Sequence, residues 1–137
     1  MLSFRDVLTI TGATRSQLIY WTHEDVVQAV TAGTGHHRRF GFGQLVEVRV
    51  AVLLAARGFS LEALRFVLRA LRPLLRRPQP PAIVWVQTDG PAAGSVWTGT
   101  AAEFSREMKQ PFGILGMVGI VIRLQDVIAG LRDVTAG

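Results

Sequence analysis

Thr14, Arg15, Ser16 and Gln17 stand together at the start of a segment whose apolar residues, Leu18 and Trp21, recur at helical spacing. Tyr20 and His23 follow on the side away from that apolar pair. Short hydroxyl, amide, guanidinium and phenol groups aligned on one helical face can donate to and accept from base edges and phosphate oxygens. A second group, His36, His37, Arg38 and Arg39, packs four nitrogen-bearing side chains into consecutive positions beside glycines. Such a tip suits the phosphate backbone, although a solvated charged loop would have the same composition. A third set, Arg65, Arg69, Arg72 and Arg76, forms a stripe at helical spacing, for which a solvated helix face is the plainer expectation.

Other chemistry has little to stand on. The chain has no cysteine, and its three histidines lie near no carboxylate pair at ligand spacing, so neither a metal nor another cofactor is expected. The glycines at 41–43 and 113–119 lack the strand-turn-helix setting and trailing acid of a dinucleotide loop. No arrangement of nucleophile, base and acid suggests itself, so an enzyme is not expected.

Charge is unevenly placed. Residues 1–77 hold eleven arginines against five acids, a net +6, whereas residues 78–137 hold four basic residues against five acids, −1, which together give the chain's +5. A basic half joined to a neutral one is what a polyanion-binding module and a partner module would produce. The longest uncharged apolar stretch, 111–122, is far shorter than a membrane span of about 20 residues. A cytoplasmic location follows as the expectation, with no membrane contact.

Elements must hold these groups in place. Ser3 with Asp6, and Thr14 with Gln17, are capping boxes that start two short helices, about 4–9 and 15–23, joined by a turn containing Gly12. This is helix-turn-helix spacing. Val26 to Val30 is rich in β-branched residues and predicts a strand that enters a hairpin and returns through 36–40, a basic-tipped wing. A third helix is predicted over 44–57, ended by Gly58, and a fourth from Ser60 carries Leu61, Leu64, Val67, Leu68 and Leu71 on one stripe. Pro73, Pro78, Pro80 and Pro81 predict the end of that helix and a connector. Beyond it the patterns predict strands over 83–88 and 95–97, a helix over 101–109 capped by Thr100, a strand over 117–122 and a last helix over about 123–132. Trp85, Trp97, Phe104, Phe112 and Met117 either line a small-molecule pocket, bury against a second subunit or share one core, the core being the plainer expectation.

The segments TGATRSQLIYW at 11–21, HHRRFGFGQL at 36–45 and ARGFSLEALRFVL at 56–68 together resemble, in order and spacing, the DNA-binding domain of MerR-type regulators. The matching residues are Gly12, Leu18, Tyr20-Trp21, Arg38-Arg39-Phe40 and Gly58-Phe59-Ser60-Leu61. The tail, with PFGILGMVGIVI at 111–122, is similar to that of some small actinobacterial MerR-like proteins. The resemblance implies a dimeric transcription factor in which Tyr20 and the wing arginines touch the phosphate backbone. This chain departs from it in having Ile19, where the family usually carries a DNA-reaching arginine, and Thr22 in place of the usual acid.

The expected fold class is therefore α+β: a winged helix-turn-helix of four helices and a β-hairpin wing over 1–77, followed by a small α+β module over 78–137 for dimerisation or for binding a partner or ligand. The expected function is sequence-specific recognition of double-stranded DNA by a homodimer that regulates transcription. Thr14, Arg15, Ser16, Gln17, Tyr20, His36, His37, Arg38 and Arg39 are its contact residues, and RNA polymerase is a candidate partner. Two alternatives stay open: a protein-interaction module such as an antitoxin or adaptor, and a ligand-responsive sensor.

Overall fold

The computed structural model describes residues 1–29, 39–88, 94–109 and 118–136. It begins with a two-residue strand, β1 (Leu2–Ser3), that leads directly into α1 (Phe4–Thr11) and, after a three-residue turn, α2 (Arg15–His23). Next come β2 (Arg39–Phe40), α3 (Phe42–Ala55) and α4 (Leu61–Leu75). The second half contains β3 (Ile83–Gln87), β4 (Val96–Gly99), α5 (Ala101–Met108), β5 (Gly119–Arg123) and α6 (Leu124–Ala136). Mixed helix and strand with a helix-turn-helix at the amino end make this an α+β chain.

Local chemistry sets the helix starts. Ser3, Thr14, Ser60 and Thr100 each place a side-chain oxygen on the backbone N–H three residues on, and Asp6, Gln17 and Glu103 return the bond in the boxes at Ser3, Thr14 and Thr100. Gly12, at φ 80°, ends α1 in the left-handed region, where a side chain would be strained.

Buried side chains hold the two halves together. Leu18 and Trp21 of α2 join Val7, Leu45, Val48 and Leu54 beneath the helix-turn-helix, and Leu64, Val67, Leu68 and Leu71 line the inner face of α4. The same cluster continues into Val84, Val86, Ile122, Leu124 and Leu131. The three-stranded sheet runs β4-β3-β5 and is antiparallel throughout, with Trp85 opposite both Trp97 and Val121. Its alternation sends Val84, Val86, Ile120 and Ile122 to the core and turns Trp85, Trp97 and Val121 the other way. α6 packs against α3, with the Arg132 guanidinium 5.6 Å from the centre of the Phe42 ring.

Three expectations are corrected. Val26 to Ala29 is not strand: Val26 and Val27 donate to the Trp21 carbonyl from a turn after α2, in which Asp25 adopts a left-handed φ of 58°. Both valines are buried there, so their β-branched run reflects core filling. Arg39–Phe40 does pair, but with Leu2–Ser3 at the chain's start. The tip of the expected wing, 30–38, lies outside the described residues. Pro73 does not end the fourth helix but sits inside its last turn, near enough to the end that one missing donor is tolerated. α3 begins two residues earlier than expected, at Phe42, because Gln44 accepts from the Gly41 N–H and fixes the first turn.

Candidate nucleic-acid interface

α2 divides cleanly into two faces. Leu18 and Trp21 are buried, while Arg15, Ser16, Ile19, Tyr20 and His23 are exposed. Its first turn is fixed by the capping box, in which Thr14 Oγ1 accepts from the Gln17 N–H at 3.1 Å and Gln17 Oε1 accepts from the Thr14 N–H at 3.0 Å. Gln17 therefore presents its remaining amide N–H groups with its oxygen already held. Arg15 reaches back over α1, its guanidinium 5.9 Å from the centre of the Phe4 ring, which orients the cation without neutralising it.

The turn beneath is braced from inside. Thr11 is fully buried, donates from its hydroxyl to the Val7 carbonyl at 2.7 Å and accepts from the Ala13 N–H at 3.2 Å. Arg49 of α3 donates to the Thr11 carbonyl at 2.9 Å, satisfying an acceptor that the end of α1 leaves open. Composition offered no route to these two residues, because their partners are backbone atoms.

The arginine stripe of α4 proves to be structural in part. Arg65 donates from Nε and Nη2 to the Glu24 carbonyl at 3.1 and 3.0 Å, with its carboxylate 3.5 Å away. Arg72 donates to the Glu47 carboxylate at 2.9 Å and to the Val26 carbonyl at 3.1 Å. Arg69 and Arg76 are exposed as the expected solvated face would be, Arg69 standing 3.9 Å from Asp25. Burial pushes the Glu47 carboxyl above the usual glutamate range, more than the hydrogen bond and charge of Arg72 pull it down. Arg65 and Arg72 thus clamp the turn that follows α2 onto α4.

Of the sequence-predicted contact residues, Thr14, Arg15, Ser16, Gln17 and Tyr20 come together on α2. Arg39 is exposed on β2, opposite Ser3 in register. The hydrogen bonds of Ser3, with lesser help from the charge of Arg39, hold the Asp6 carboxyl below the usual aspartate range. His36, His37 and Arg38 lie outside the described residues. In the second half, Trp85 and Trp97 flank Phe104, with ring centres 6.3 and 5.8 Å from it, whereas Phe112 and Met117 lie outside the described residues. A Cβ on Gly119 would collide with the Trp85 ring, so that glycine is what admits the indole.

The sequence model of the MerR helix-turn-helix regulatory protein family matches residues 2–71, which include the turn at Gly12, all of α2 and most of α4. The chain belongs to the MerR family. No curated protein matches it. Its MerR-type domain marks it as a DNA-binding transcription regulator, and no helix among the described residues is long and apolar enough to cross a membrane.

Proposed function

We propose that this MerR-family chain regulates transcription as a homodimer that reads a specific double-stranded sequence. α2 enters the major groove, and a wing spanning His36, His37, Arg38 and Arg39 rests on the adjoining phosphates. Arg15, Ser16 and Gln17 address the first bases, with Thr14 at the helix start beside them, and Tyr20 the backbone. The observation that carries this reading is the two-faced α2, polar and exposed on one side and anchored by Leu18 and Trp21 on the other. Residues 1–77 act as the reader and residues 78–137 as the dimerising module, a cytoplasmic arrangement with RNA polymerase as a further partner. Met108, Val118, Val121 and Val134 are apolar side chains exposed in the tail, and their exposure supports self-association there.

The test is selection of duplexes from a random pool followed by a salt titration of the winner. A palindromic site is expected, and Arg39→Ala should reduce the slope of log K against log salt by about one phosphate's worth, about 0.9 for each protomer. An unchanged slope would remove Arg39 from the interface, and no duplex binding at low salt would sink the reading.

A further inference from the structure

We infer that Ile19 reads the 5-methyl group of a thymine in the major groove, making this residue a determinant of the sequence the chain selects. The inference rests on α2 being the groove-inserted helix, as proposed above. Successive side chains on a helix turn by about 100°. Opposite the buried pair Leu18 and Trp21, the outward face of α2 centres on Ser16 and His23, with Ile19 and Tyr20 on either flank. Arg15, Ser16, Tyr20 and His23 all offer hydrogen-bonding atoms there, and Ile19 offers none.

Packing does not account for an isoleucine at this position. Ile19 is 38% exposed and stands apart from the partly buried apolar side chains that lie against the core, such as Leu8, Ile10 and Phe42. Helix propensity does not favour it either, since a β-branched residue is a poorer helix former than the straight-chain alternatives. What it offers a ligand is a stiff apolar knob, held in one dominant rotamer in a helix, so contact costs little side-chain entropy. Among the groups that base pairs present in the major groove, the thymine methyl is the apolar one, and aliphatic contact with it is a known means of discrimination. Arg15 lies one turn earlier on the same side, where its guanidinium can hydrogen-bond a neighbouring pair, so polar and apolar readout would fall within one half-site.

The full chain is bound to its selected duplex and to versions in which each thymine is replaced in turn by deoxyuridine, which removes the methyl and leaves the hydrogen-bonding edges intact. At one position of each half-site, uracil should weaken binding about three- to fivefold, the worth of one methyl-sized group removed from contact. Ile19→Ala should bind the thymine and uracil duplexes equally, while Ile19→Val should keep part of the preference. An unchanged melting temperature for both variants is expected from the exposure of the side chain and keeps the comparison one of binding. If no uracil replacement matters, or if the penalty is the same in wild type and Ile19→Ala, the inference is overturned and the proposed regulator stands. If no duplex binds at low salt, the regulator reading falls and takes this inference with it.

Discussion

Two arginine-bearing helices of the same domain put the residue to opposite uses. On α4, Arg65 and Arg72 turn their guanidinium groups onto the carbonyls of Glu24 and Val26 and the carboxylate of Glu47, so much of their donor capacity is committed inside the fold. On α2, Arg15 is exposed and its guanidinium lies over the face of the Phe4 ring. Formal charge counts these side chains alike. What separates them is where their N–H groups point, and a donor already satisfied by a carbonyl adds field but little direct contact.

The largest effect is expected from Arg72→Ala, which strands the Glu47 carboxylate in a nearly closed site. Loss of stability of about 3–5 kcal/mol in urea unfolding is expected, as for other buried pairs deprived of one partner. DNA affinity should fall only in step with the folded fraction, whereas Arg39→Ala should weaken binding with stability intact. If Arg72→Ala stayed stable yet lost its salt dependence, the division between brace and reader would be wrong.

The acid dependence of the same pair gives a smaller effect. With its folded carboxyl raised above the ordinary glutamate range, Glu47 holds its proton more tightly in the native chain than in the unfolded one. Its contribution is thus greatest at low pH and declines as pH climbs from the ordinary value through the raised one. Asp6, held low, works in the other direction: its contribution is present above the ordinary aspartate range and fades as pH falls below it. Unfolding of Glu47→Gln followed against pH should lack the decline on the upper side and keep the acid-side loss. An identical profile in variant and wild type would remove Glu47 as the cause.

Smallest of all should be Arg69→Ala. Its exposed 3.9 Å ion pair with Asp25 predicts a change in melting free energy within about 0.5 kcal/mol. A cost resembling that of Arg72 would show that the whole stripe is bracing.

Much of this was legible beforehand because it is written in local chemistry. The boxes at Ser3, Thr14 and Thr100 announce helix starts by residue type and three-residue spacing, and the buried pair Leu18 and Trp21 follows from period alone. The exposed face of α2, with Arg15, Ser16, Tyr20 and His23, follows from that same period. What escaped was long-range. β2 pairs with β1, whose two residues sit at the chain's first positions and look like nothing in particular. Val26 and Val27 are equally at home in a strand or in a buried turn, and it is their bonds to the Trp21 carbonyl, the Arg72 bond to the Val26 carbonyl and the positive φ of Asp25 that distinguish the two. The bracing roles of Arg49, Arg65 and Arg72 depend on carbonyls 38 to 46 positions away, which no spacing rule reports.

The guanidinium of Arg49 joins the tip of α1 to a helix that also packs against α6. With that tether in place, and Thr11 stitching the same corner from within, the two short helices have no hinge between them. The two helices should therefore move as one unit, a corner braced from both within and beneath.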